Sequence, residues 1–511
     1  MSQLHAKFPQ GVPFALCLLL VALAIVPLLW PEVPPLTDLP GHMARFMIQL
    51  DAGRSADLAR WYSFEWNLLP NLGTDLIVQT IGPLIGLAPA MKLVVILIVG
   101  LQVAGYLLLS RTAHGRAGAM AVFAIPLALG NPFQFGFLNF TLGTALATLA
   151  LAAWMTPALA TAPRRRWWLF CLIAAIIWIC HLAAWAVLCV LVGCCELAAR
   201  YERSRRFWRS LAGGFLASSC LLVPQLISLA WPHPSGHMPT GIWFEMGVKL
   251  YHFANVLADR WAMWDIACAA VLVGVVAWCW RSSAFVIHKG LALGASVLMG
   301  LFLVMPDTIY GSSGADMRLM PMIYALALIA ACPSPMLRAS HQRWLLCAAL
   351  AFALLRLAGN TVSMAAWDNR IRAEQAVLDN VPQGSQLLTF AALPCRPIMS
   401  YSRLRNTHVG SYALIRRRAF ANDQWAMQGG QLLSIHNPAV GPFTTADTST
   451  VFVEPCHGVK PFLSVLQDVP ATVPMVWVIW HAPELPLPGW SVARRSGSSV
   501  LYRRGVLQEA N

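Results

Sequence analysis

Asp38, His42, Arg45 and Asp51 fall together in "PPLTDLPGHMARFMIQLDAG", directly after an apolar run, in a chain with only 22 acidic residues among 511. Six of those acids (Glu32, Asp38, Asp51, Asp57, Glu65, Asp75) lie between positions 31 and 75, and the next is Glu196. A carboxylate beside a low-dielectric surface resists ionisation, which brings it closer to a useful general base. Asp38, squeezed between Thr37 and Leu39-Pro40, is the candidate base, and Glu65, 27 residues further on, is the candidate second acid. Asp51 and Asp57 read more simply as a solvated loop face or helix caps. Arg318 in "GADMRLMP", Lys249, Arg60 and His42 are candidates to hold an anionic group, and for each the plainer reading is an interfacial or structural anchor. Asn71 and Asp75 in "PNLGTDL", Asn139 in "NPFQFGFLNFT" and His237 in "HPSGH" are candidate substrate contacts. His233, His237 and His252 are the histidines a metal set would draw on, but the intervening Pro-Ser-Gly favours a substrate-covering loop, and no metal ligands are assigned.

These residues sit on an oily scaffold. The chain is 58% hydrophobic and 11% charged, with mean hydropathy +0.61; a soluble protein carries about 25% charged residues. This is a membrane protein with many spans. Its net charge of +14 does not imply nucleic acid, because the Lys and Arg cluster in short loops between apolar runs. The first apolar run lacks a small-x-small cleavage site and reads as an uncleaved span.

About eleven spans are expected, near 13–30, 92–110, 118–132, 138–157, 166–180, 182–198, 210–230, 264–280, 289–305, 319–333 and 343–358. Residues 75–88 are too short and too interrupted by Gly82-Pro83, and read as an interfacial helix. With the N-terminus cytoplasmic, the basic loops fall on one face: Arg111 and Arg116, Arg164 to Arg166, Arg200 to Arg209, Arg281 with Lys289, and Arg338 with Arg343. The other face receives the 31–91 loop, the 231–263 and 306–318 loops, and everything after about 359.

The organisation expected is therefore a membrane domain over 1–358 and an outer domain over 359–511. In the 31–91 loop, Met43, Phe46, Met47 and Leu50 recur at helical spacing, as in an amphipathic helix lying on the membrane. Beyond 359 a solvated helix is followed by strand-like runs after Pro382-Gln383-Gly384, in "VPMVWVIW" and in "SSVLYRRG", which predicts a small α+β domain. Eleven of the 13 cysteines precede residue 360 and behave as small hydrophobes; Cys395 and Cys456 are free to pair if their side is oxidising. "RRRAF" at 416–420 is either solvated charge or a headgroup contact.

An acid in a long outer loop after the first span, a second acid later in that loop, interfacial helices and an outer C-terminal domain together resemble the C-type (GT-C) polytopic membrane glycosyltransferases. "LTDLPGHMAR" matches the position of the family's loop base and "YSFEWN" that of its second acid, while "PNLGTDL" resembles its Pro-rich entry to the next helix. The chain lacks an Asp-x-Asp and a paired Asp-Glu, and is similar instead to bacterial members with an Asp-x-Pro-x-His loop. The resemblance implies an all-α polytopic membrane domain with a small α+β periplasmic domain, in a bacterial inner membrane. It implies inverting transfer of a sugar from polyprenyl phosphate to a lipid, glycan or protein acceptor, with Asp38 as base, Glu65 assisting and Arg318 on the donor phosphate. It leaves a divalent metal cofactor open. The rival readings are a lipid or polysaccharide flippase or transporter, and a non-catalytic envelope assembly factor.

Overall fold

The computed structural model describes residues 11–231, 240–395, 405–426, 431–456 and 458–505. Each of the eleven apolar runs contains helix. Five helices are long and apolar enough to cross a membrane: Leu87–His114, Leu182–Ser204, Phe207–Leu229, Ala262–Arg281 and the one beginning at Ala339. Five more apolar helices are shorter, namely Phe14–Leu28, Ala119–Phe135, Leu138–Trp154, Lys289–Val304 and Met317–Ile329. A crossing takes about 20 residues, so the expected count of eleven spans is not established. The shortening has local causes. Pro27, Pro126 and Pro321 each open a tight or new turn, because proline lacks the N–H that the preceding helix would use. Small residues let the helices close up: a Cβ added to Gly143 would lie 2.6 Å from that of Ala184.

The first outer loop folds differently from its expected surface position. Its helix Leu39–Asp51 buries Met43 and Phe46, as the pattern foretells, but also Ala44, Arg45, Ile48 and Gln49. Met43 and Phe46 join the core of the membrane helices, whereas Ala44 and Ile48 join the core of the outer domain. The helix is thus a wedge between two bodies and does not float on headgroups. The chain then pairs Tyr62–Phe64 antiparallel with Leu433–Ile435 and forms the helix Gly73–Ile85, where an interfacial helix is expected.

The C-terminal region is built on a five-stranded sheet. Its order is Thr450–Phe452, Leu387–Leu393, Met475–Trp480, Ser499–Arg504, Trp490–Ser496. The first three strands are parallel and the last two join antiparallel. Leu387–Leu393 and Met475–Trp480 are buried throughout, which explains their unbroken apolar sequences. The disulfide Cys395–Cys456 closes over the edge of this sheet. The 37-residue helix Ala339–Gln375 spans 358/359 and links the apolar helices to the sheet region.

One buried ion pair ties the parts together. Arg405, 0% exposed, donates to Asp259 Oδ1 at 2.5 Å, to Gln134 Oε1 at 2.7 Å and to the Pro35 carbonyl. Asp259 also accepts from Asn360 and Ser363 of the long helix, both at 2.7 Å. Breaking such a pair strands a buried charge, at a cost of about 3–5 kcal/mol. Arg405→Met is expected to lower the melting temperature of the detergent-solubilised protein sharply. Arg405→Met combined with Asp259→Leu should recover part of that loss, and equal melting of Arg405→Met and the native chain would refute the assignment.

Candidate active site

Asp38 is fixed by backbone before side chains enter. The Asp38 and Thr37 N–H groups donate to the carbonyls of Phe135 (2.8 Å) and Gln134 (3.2 Å). Gly136, at φ +92°, makes this approach possible, since an added Cβ would fall 3.1 Å from Asp38 N and 3.3 Å from Asp38 Cβ. The helix Leu39–Asp51 begins at the next residue, with Pro40 in its first turn. The Asp38 side chain is 15% exposed, so it sits in a recess.

His408 of the outer domain faces it, with Nε2 3.8 Å from Asp38 Oδ1. The other ring nitrogen, Nδ1, lies 2.9 Å from the Asp423 carbonyl. A carbonyl only accepts, so Nδ1 carries the proton and Nε2 presents a lone pair to Asp38. A gap of 3.8 Å is too wide for a hydrogen bond. It fits a hydroxyl placed to donate to the carboxylate. Trp425 walls the recess, with its ring 4.2 Å from His408 and 5.2 Å from His42. Burial holds both imidazoles neutral, His408 down to about 4 and His42 to about 3, the latter helped by the charge of Arg45. Asp423, which accepts from the Ser411 N–H (2.7 Å) and hydroxyl (2.9 Å), is pushed up to about 7 by burial.

Arg318 supplies the positive charge. Asp38 and Asp307 are the acids whose fields reach its guanidinium. It donates to Ser312 Oγ at 2.6 Å and to the Ser313 carbonyl at 3.2 Å, and it stacks 4.1 Å from the Phe137 ring centre. Its Nε is buried without a partner. Nη1 lies 3.5 Å from His181 Nε2, while His181 Nδ1 accepts from the Ala183 N–H at 3.1 Å. A neutral imidazole that accepts at Nδ1 carries its proton on Nε2. Two donors therefore face each other, and an anionic oxygen between them would satisfy both. Arg318 also borders a cavity of about 30 Å³ lined by Gln102, Thr141 and Thr144, room for a water or two.

Other sequence candidates stand elsewhere. Glu65 is exposed at the end of the Tyr62–Phe64 pairing, its N–H bonded to the Leu432 carbonyl, so the chain reversal does not tuck it beside Asp38 in the recess. Asp75 is buried against Arg45 at 2.5 Å. Asn139 accepts from Thr74 N–H and hydroxyl and donates to the Asn71 backbone carbonyl, so the Asn139 amide is used within the loop, while Asn71 itself is exposed. Arg60 is exposed and lies over Trp61. Lys249 is bonded to Asp316 at 2.5 Å, which uses its charge internally. As a neutral ring, His42 brings no positive charge to an anion. His233 and His237 lie outside the described residues. The chemistry that sequence reading missed is His408 and Trp425, about 370 residues from Asp38; the polar-aromatic run "NDQW" (422–425) is the one local hint.

No family model and no curated protein matches this sequence. Among solved structures, the chain is similar to ArnT from Cupriavidus metallidurans, at 14% identity and TM-score 0.48 over 95% of this chain and 97% of that one. The same protein bound to undecaprenyl phosphate gives 14% and 0.47 over the same shares. Arabinofuranosyltransferase AftD from Mycobacteria gives 14% and 0.46 over 98% of this chain. This chain spans 40% of the AftD chain.

The three shifted groups set a pH dependence. Unfolding returns the histidines to about 6.5, so as pH falls from about 6.5 towards 4 the unfolded chain gains protons that the fold refuses, and stability falls. Asp423 acts oppositely: the fold retains its proton up to about 7, so its contribution is lost as pH rises through that value. Two histidines outweigh one carboxylate. The melting temperature should fall between pH 6.5 and 4.5; His408→Gln should flatten this slope and Asp423→Asn steepen it. Parallel profiles for all three proteins would contradict these protonation states.

Proposed function

We propose that the protein is a membrane glycosyltransferase acting outside the cytoplasm on a sugar carried by polyprenyl phosphate. The observation that carries this reading is the pairing of two facing sets at the junction of the apolar helices with the outer domain. One is a proton acceptor, Asp38 with the His408 lone pair. The other is an anion holder, Arg318 with the His181 N–H. The donor class follows from the resemblance of the first-loop layout to the GT-C enzymes, and the apolar helices give a lipid tail its medium.

In the proposed reaction the acceptor hydroxyl lies between Asp38 and His408. Asp38 takes its proton as the oxygen bonds to the anomeric carbon. The bond from that carbon to the phosphate oxygen breaks, and its electron pair stays on the lipid phosphate. The charge left there is met by Arg318 and His181, donors fixed before the reaction starts. A single displacement from the opposite face inverts the anomeric centre. Glu65, exposed in its own segment, is assigned no step. The Cys395–Cys456 disulfide supports placing the outer domain on an oxidising, periplasmic side, as do the basic loops gathered on the other face.

The test uses vesicles holding the protein, labelled polyprenyl-phosphate sugar and an envelope extract as acceptor source. Asp38→Asn should lower transfer by about 10²–10⁴-fold, the range for loss of a general base, while leaving donor binding within about threefold. Arg318→Met should weaken donor binding and slow transfer together. Full-rate transfer by Asp38→Asn would remove the mechanism, and movement of the lipid-linked sugar without a new glycosidic bond would favour a flippase.

A further inference from the structure

Beside Arg318 lies a second cluster that the transfer mechanism does not use. His252 lies in the last turn of the helix Met246–Ala254, and its side chain is nine-tenths buried. Neither of its ring nitrogens has a hydrogen-bond partner. Nε2 is aimed between two carboxylates, 3.5 Å from Asp307 Oδ1 and 3.8 Å from Asp316 Oδ1. All three ligand atoms lie within 4.8 Å of one another.

At 3.5 and 3.8 Å these are loose charge contacts longer than a well-formed hydrogen bond, and the three ligand atoms stay within reach of one central ion. They suit an ion in the middle. With metal–ligand bonds of about 2.0–2.2 Å, two ligands on a tetrahedral centre sit about 3.4 Å apart. The carboxylates are also oriented from behind, as ligands of a bound ion are. Asp316 Oδ2 is held by Lys249 at 2.5 Å and its Oδ1 takes the Met317 N–H at 2.6 Å, while Asp307 Oδ2 takes the Thr308 hydroxyl at 3.4 Å. Each carboxylate has about four lone-pair sites, so the oxygens facing His252 still have capacity.

We propose that His252, Asp307 and Asp316 form a divalent-cation site of the zinc or manganese class, one imidazole and two carboxylates with open positions for water. Imidazole with carboxylate suits these ions better than calcium or magnesium. The site stands apart from Asp38 and does not depend on the transferase reading. It does bear on Arg318: an ion that draws off the Asp307 charge leaves the guanidinium freer to meet an external anion.

The experiment reads metal alone, with no donor or acceptor present. Protein without a histidine tag is stripped with a chelator in detergent, loaded with Mn²⁺ or Zn²⁺, desalted and assayed for bound metal; Mn²⁺ is also followed by its spin-resonance signal. The native chain should retain about one equivalent. Asp307→Asn and His252→Gln should each weaken binding at least tenfold, and Asp38→Asn should leave it unchanged. If His252→Gln fails to fold, Asp307→Asn decides, because that carboxylate is partly accessible. No retained ion in the native chain, or undiminished affinity in Asp307→Asn, overturns the site. A chain inactive in transfer but loading one ion would sink the transferase reading and leave this one standing.

Discussion

The arrangement around Asp38 rests on the buried Arg405–Asp259 pair. Arg405 comes from the outer domain, yet its donors reach the Pro35 carbonyl, three residues before Asp38, and the side chain of Gln134, whose own carbonyl takes the Thr37 N–H. Asp259 passes the connection on to Asn360 and Ser363. Asp265, which accepts the Asp259 N–H, holds Arg356 one helical turn away from Asn360. Four separate stretches of chain are thus referenced to one guanidinium. A charge pair placed so deep is a poor source of stability compared with apolar packing; its value here is in register, because this mutual placement of loop, bundle and C-terminal domain brings partners to both terminal nitrogens of Arg405.

That constraint explains why the recess can keep its acid and its imidazole 3.8 Å apart without letting them close. Asp38 is held through its backbone by the 134–136 turn, and His408 through Nδ1 by the Asp423 carbonyl. Each is anchored to its own body, and the bodies are pinned by Arg405. The gap is therefore a property of the frame, and under the proposed function it would be available to a hydroxyl without reorganisation, the condition under which fixed polar groups act most strongly on a reacting centre.

Much of this was legible in the residues. Hydropathy located the helices because burial in lipid or protein demands apolar runs either way, though it could not say which runs cross and which stop short. Unbroken apolar strands such as "VPMVWVIW" were readable for the same reason. Asp38 was marked as a candidate by the scarcity of acids and Arg318 by its place beside an apolar run. The helix Leu39–Asp51 was misjudged because Arg45 and Gln49 look like a wet face; they are buried instead against Asp75, a partner 30 residues away that periodicity cannot see. His408 and Trp425 had no signal near Asp38, since the contact is made by folding of the outer domain onto the bundle.

The helix Ala339–Gln375 has a mechanical consequence. At 1.5 Å per residue its 37 residues make a rod about 55 Å long, rooted among the apolar helices and ending under the sheet. The C-terminal sheet is thus joined to the apolar helices there by continuous helix. If the proposed transfer holds, room for a bulky acceptor would have to come from the segments around this rod and not from bending within it.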